Sequence, residues 1–190
     1  ETMKKRLFLK QFFKQKKMVG SIAPSSRFLT NKMLTHLPLS TAEVIVELGP
    51  GNGVFTKRII KEMGENTQLI VIELNDLFYK ELSSTIQDPR VHFFHDSANK
   101  IGEFIQQIGK DKADIIISSL PLANFPEDLK TDLLDSIHTS LDDKGTFVQF
   151  QYSLQSKKAI KKRFEKTKIT YTPFNIPPAF VYSCMKTAIS

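Results

Sequence analysis

Short runs rich in β-branched and apolar residues recur along this chain, and each of the first five leads into a helical pattern. Strands are predicted at Glu43 to Leu48, Gln68 to Glu73, Val91 to His95, Ala113 to Ser118 and Thr146 to Gln151. The intervening helices are predicted near Val54 to Met63, Leu77 to Ile86, Ile101 to Ile108, Pro126 to Leu141 and Ser156 to Lys166. Such a βαβαβ series restricts the fold to a sheet with helices laid on it. Val44-Ile45-Val46 and Ile115-Ile116-Ile117 are apolar on both faces, as a parallel sheet covered on each side requires. Two last strands, near Ile169 to Thr172 and Ala179 to Met185, complete the sheet, with Pro177-Pro178 marking the loop between them. The expected fold is α/β: a doubly wound, mostly parallel, seven-stranded sheet occupying residues 41–190.

The first forty residues fall outside this pattern. Phe8, Leu9, Phe12 and Phe13 gather on one side of a helical wheel, while Arg6, Lys10, Lys14 and Lys17 gather on the other. A basic amphipathic helix of this kind either packs its phenylalanines on its own domain or lies in a lipid interface. Residues 1–40 are read as this helix followed by a segment that closes the site.

Charge is concentrated rather than spread. Residues 1–17 and 157–168 each carry seven basic residues against one acid, so although the whole chain is at +7 the remainder is mildly acidic. Two such segments point to a polyanionic surface, either nucleic acid or anionic lipid. With 190 residues there is room for one domain and one substantial core. No run approaches the roughly 18 apolar residues of a membrane span, and a cytoplasmic protein is expected. The lone Cys184 excludes an internal disulfide, and the spacing of His36, His92, His95 and His138 shows no metal-ligand pattern. No metal is expected.

The first strand runs directly into Glu47-Leu48-Gly49-Pro50-Gly51-Asn52-Gly53 and then into a helical pattern. Glycines at alternate positions let the backbone turn sharply and approach a ligand closely, since no Cβ intervenes. The dinucleotide fingerprint is G-x-G-x-x-G with a pyrophosphate at the helix start; here the spacing is G-x-G-x-G, and an acid stands two residues before it. A carboxylate at Glu47 repels pyrophosphate but suits a nucleotide-type ligand that carries a cation. The second strand ends in Glu73, placed to accept from ribose hydroxyls, and the third ends in Asp96-Ser97.

On Glu47 to Gly53, Glu73 and Asp96 the chain resembles class I S-adenosylmethionine-dependent methyltransferases, over nearly its whole length. The resemblance implies that S-adenosylmethionine is the cofactor. Its methionine end would lie against Glu47 and the backbone of Gly49, Gly51 and Gly53, its ribose against Glu73 and its adenine against Asp96. Leu74, Ser97, Ser118 and Ser25 are the further cofactor-site residues implied.

The fourth strand ends in Ser118-Ser119-Leu120-Pro121-Leu122, where methyltransferases of nitrogen acceptors carry the motif that faces the methyl group. The chain also resembles the ribosomal RNA adenine dimethyltransferases, whose motif has an amide or carboxylate first and an aromatic last. Ser119 and Leu122 replace both, and leucine stacks poorly on a base. A closer resemblance is to bacterial phospholipid N-methyltransferases, which convert phosphatidylethanolamine to phosphatidylcholine. It is carried by Phe8 to Lys17, Gly20 to Ser26, Ser119 to Leu122 and Asn175 to Tyr182. That family more usually has glycine at Ser119. It implies an aminolipid substrate, an anionic membrane surface as partner, peripheral association with the inner face of the membrane, and a monomer; nucleic acid is not the expected partner. Ser119 and Tyr152, at the rim after the fifth strand, are the candidate catalytic residues, Tyr152 to orient the amine. An RNA adenine N6-methyltransferase and a non-catalytic S-adenosylmethionine-binding membrane-surface protein are the alternatives.

Overall fold

A computed structural model of the chain describes residues 27–186. The stretch Phe8 to Lys17, the segment Gly20 to Ser26 and Ser25 within it lie outside the described residues. In chain order the elements are α1 (Arg27–Leu34), β1 (Val44–Leu48), α2 (Val54–Glu62), β2 (Gln68–Ile72), α3 (Asp76–Thr85), β3 (Val91–Phe94), α4 (Ile101–Gln107), β4 (Ala113–Ser118), α5 (Glu127–Ser140), β5 (Leu141–Gln151), α6 (Lys157–Arg163), β6 (Lys166–Thr172) and β7 (Ala179–Met185). Single 3₁₀ turns at Ala98–Lys100 and Leu122–Asn124 precede α4 and α5.

The seven strands form one sheet in the order β3-β2-β1-β4-β5-β7-β6. The first five are parallel, whereas β7 lies between β5 and β6 and is antiparallel to both. The expected doubly wound sheet is thus present, with its mixed character confined to one edge. The strand order reverses between β1 and β4, and in open α/β sheets a crevice forms outside the carboxyl ends at such a point.

Strand pleating explains why β1 is buried along its whole length. Val44, Val46 and Leu48 enter a core with Ile70, Ile116 and the α4 and α5 residues Ile105 and Ile137. Ile45 enters the opposite core with Leu69, Ile117 and residues Leu29, Met33, Phe55 and Ile59 of α1 and α2. Glu47 alternates onto this second face, beneath α2. Helix α1 is therefore a core element, and Asn31 accepts a 3.0 Å hydrogen bond from Arg58 of α2.

Two strands depart from expectation: β6 begins at Lys166, where helix is predicted, because α6 stops at Arg163, and β5 begins early. The sequence predicts helix through Leu141 and the strand start at Thr146. In the structure Leu141 caps α5 in extended conformation and already pairs with Ala113; pairing then skips to Thr146 opposite Ile115. The polar residues bulge outward while fully buried Leu141 anchors the strand start. Among the described residues no helix is long and apolar enough to cross a membrane.

Candidate functional site

The crevice at the β1/β4 reversal is lined by Gly49 of the glycine loop, Ile72, Glu73 and Leu74 after β2, Asp96 to Asn99 after β3, and Leu120, Phe125 and Leu133 from the β4 side. The polar groups reach it because three successive parallel strands end at one level. Glu73 is almost fully buried, and its carboxylate accepts from the amides of Gly51 (3.2 Å) and Asn75 (2.8 Å). It braces the glycine loop against the start of α3. Burial raises its pKa, while the amides of Asn75, Gly51 and Leu74, and His95, act to lower it. Asp96 accepts from the Ser97 amide at 2.7 Å and from Lys100 Nζ at 2.9 Å, which fixes it at the crevice wall.

Glu47 is the unusual group. It is fully buried, and among the described residues its only polar neighbours are the Thr56 hydroxyl and amide, neither of which makes a hydrogen bond of normal geometry to it. Burial pushes the Glu47 carboxyl up to about 8; the Thr56 hydroxyl and amide pull against that rise, and the Glu73 charge adds to it. An acid left in this state normally costs several kcal/mol relative to a paired one. A cationic ligand would supply the missing partner. Gly51, in the left-handed region at φ +57°, directs the place of a Cβ into open space with no atom within 4 Å. A buried acid whose only polar neighbour is Thr56, and an open, side-chain-free cradle, fit the ammonium and sulfonium charges of S-adenosylmethionine.

On the acceptor side, the Ser119 amide donates to the Leu48 carbonyl at 3.0 Å, tying β4's end to β1, while its buried hydroxyl is without a partner. Ser118 does not line the crevice: it is fully buried and its hydroxyl accepts from the Leu120 amide at 3.2 Å, so its side chain shapes the turn. Tyr152 follows β5 at the neighbouring strand end, 44% exposed, with its ring edge-on to Phe150. Asn175 lies beside its hydroxyl, and burial holds its pKa above the ordinary tyrosine value. It keeps its proton at neutral pH and is suited to orient an amine rather than deprotonate it.

Leu122, read as standing in the place of a stacking aromatic, is instead fully buried in the core, because the 3₁₀ turn rotates it inward. The aromatic that lines the crevice is Phe125. No histidine lines it: His92 bonds Gln68, His95 lies on Tyr79 and against the Leu74 carbonyl, and His138 packs on Phe164. Among the described residues no cluster of three His, Cys, Asp or Glu side chains could hold a metal.

Sequence reasoning missed Thr56, Phe125, Gln149 and Gln151. Both glutamines donate to the Leu120 carbonyl at 2.9 Å, and Gln151 also accepts from the Ala123 amide, so β5 clamps the Ser119-Leu120 turn. The available signal was two glutamines alternating in an otherwise apolar buried strand, since buried amides need partners.

The family model described as "Ribosomal RNA adenine dimethylase" matches residues 12–167. An "Ornithine lipid N-methyltransferase" of Singulisphaera acidiphila is 32% identical over 181 residues, 94% of each chain. A "Ribosomal RNA small subunit methyltransferase A" of Dehalococcoides mccartyi is 27% identical over 109 residues, covering 57% of this chain and 36% of that one. Among solved structures, a putative S-adenosylmethionine-dependent methyltransferase from Listeria monocytogenes superposes with TM-score 0.63 at 14% identity, over 83% of this chain and 96% of that one. Spermidine synthase from Thermotoga maritima gives TM-score 0.62 at 18% identity, over 86% and 60%. The fold is shared with both.

Proposed function

Since the chain belongs to the ribosomal RNA adenine dimethylase family and is an S-adenosylmethionine-dependent methyltransferase, we propose that it methylates the headgroup amine of a membrane aminolipid. The observation that carries this reading is the end-to-end match to an ornithine lipid N-methyltransferase, over 94% of both chains. The match to a ribosomal RNA enzyme stops at 36% of that protein's length. The basic segments suit an anionic lipid surface, and the sequence of Phe8 to Lys17 suits a reversible anchor to it.

When bound, S-adenosylmethionine supplies an electrophilic methyl carbon on a sulfonium sulfur. Glu47 and the loop of Gly49, Gly51 and Gly53 would hold its methionine end, Glu73 its ribose and Asp96 with Ser97 its adenine. The acceptor must arrive as a neutral amine, its lone pair in line with the carbon–sulfur bond that breaks. The orphaned Ser119 hydroxyl and the Tyr152 hydroxyl, on neighbouring strand ends, can each take one amine N–H. As Tyr152 keeps its own proton, the proton lost by the ammonium passes to water. Tyr152→Phe is expected to lower kcat roughly tenfold through lost orientation, with the pH–rate profile unmoved and S-adenosylmethionine affinity intact. A shifted profile would make Tyr152 the proton acceptor instead.

The acceptor class is tested by radiolabelled methyl transfer to ornithine lipid, phosphatidylethanolamine and small-subunit ribosomal RNA in parallel. Label is expected in a lipid amine and absent from N6-methyladenine. The match of the ribosomal RNA adenine dimethylase model over residues 12–167 favours a second reading, an RNA adenine acceptor; label confined to RNA would establish it.

A further inference from the structure

Among the described residues, three of the most exposed large apolar side chains stand on one rim. Phe28 of α1 is 58% exposed, Phe174 71% and Ile176 82%. The rings of Phe28 and Phe174 touch, 5.4 Å between centroids. The loop at 173–178 joins β6 to β7, and since Phe180 pairs with Gln151 it sits at the carboxyl end of β5, beside Tyr152. It therefore borders the acceptor end of the crevice.

The loop is built to hold these side chains outward. Between Phe174 and Ile176, Asn175 is buried; its side-chain amide donates to the Pro177 carbonyl at 2.7 Å and it lies beside the Tyr152 hydroxyl. Pro173, Pro177 and Pro178 restrict the backbone further. With its central residue pinned, the loop cannot fold Phe174 and Ile176 onto the protein. A touching pair of exposed rings with exposed Ile176 two residues on marks an interaction site. Exposed Lys157 and Lys158 follow at the start of α6, on the same carboxyl side of β5. Apolar side chains flanked by lysines match the acyl boundary and anionic headgroups of a bilayer.

We propose that Phe28, Phe174 and Ile176 form a membrane-docking face that enters an anionic bilayer and presents the acceptor end of the crevice to the lipid headgroups. This rests on the lipid-amine reading: an amine whose acyl chains stay in the bilayer reaches Ser119 and Tyr152 only if that rim faces the membrane. The docking face lies within the folded domain and adds to the basic leader.

The test uses the full chain and the double variant Phe174→Ser/Ile176→Ser. Flotation is measured with phosphatidylcholine vesicles with and without phosphatidylglycerol, and methyl transfer to ornithine lipid in those vesicles and in detergent micelles. The variant is expected to bind the anionic vesicles roughly tenfold less and to lose vesicle-borne turnover in proportion. Its melting temperature and micelle turnover should match wild type, and Phe174→Trp should keep vesicle binding. Unchanged flotation overturns the docking face. A lowered melting temperature with unchanged flotation does so too, since the patch is then covered by another part of this chain, as does a shift from dimer to monomer in solution with unchanged flotation. If the wild type methylates no lipid in either format, the lipid-amine reading fails, and flotation still decides the docking face.

Discussion

Gly51→Val is expected to reduce S-adenosylmethionine affinity by more than about a hundredfold while leaving a folded protein, since loss of the cradle alone removes a large share of the contacts a small ligand makes. The position separates binding from folding because its missing Cβ would meet no protein atom within 4 Å. The folded state would bear only the left-handed backbone strain of a non-glycine residue, of order 1–2 kcal/mol. Gly53, two residues on, also has positive φ but a different neighbour: a Cβ there would lie 2.4 Å from Leu82 Cδ2. Gly53→Val should therefore lower thermal stability more than Gly51→Val does. Calorimetric titration beside a thermal melt of each variant checks this, and Gly51→Val binding the cofactor normally would refute the assignment of the loop.

Glu47→Gln should stabilise the ligand-free protein at pH 8 and weaken cofactor binding at the same pH. An ordinary glutamate in the unfolded chain titrates at 4.5, whereas the buried carboxyl holds its proton to about 8. Between those values the native state binds more protons than the unfolded state, so stability falls as pH rises. At full extent the loss is on the order of 5 kcal/mol, and Glu73, also raised, contributes with the same sign. In the glutamine variant the share due to residue 47 disappears, so the difference between the two stability–pH curves isolates it. For binding the sign is opposite, because a cationic ligand favours the ionised carboxyl. Affinity should rise up to tenfold per pH unit below about 8, with a proton released on binding. Titrations in two buffers of different ionisation enthalpy count that proton. Parallel stability curves for wild type and variant, or equal affinities, would show that Glu47 has a partner other than the cofactor.

The parts of this molecule legible from sequence are those governed by periodicity. β1 and β4 are apolar on both faces and are the central strands; Glu73 and Asp96 close their strands and line one crevice. What stayed hidden depends on direction and contact rather than residue type. Leu122 sits in a motif whose last position often holds an aromatic, yet one 3₁₀ turn sends it into the core and leaves Phe125 at the crevice. Leu141 opens β5 through a polar bulge. Gln149 and Gln151 act through a backbone carbonyl on another strand, a relation that no local pattern carries. Ser118 and Ser119 are adjacent and chemically identical, but only the first spends its hydroxyl on a turn.

The place of β7 between β5 and β6 bears on how the chain is made. β6 touches the sheet only through β7, so during synthesis Lys166–Thr172 leaves the ribosome with no strand to join, and Ala179–Met185 must emerge before either pairing forms. Until then β5 presents an unpaired edge flanked by Phe147, Val148 and Phe150, the kind of surface on which nascent chains associate wrongly. β7 is the closing wedge of this sheet, and a chain interrupted before it would carry β6 adrift beside the adhesive edge of β5.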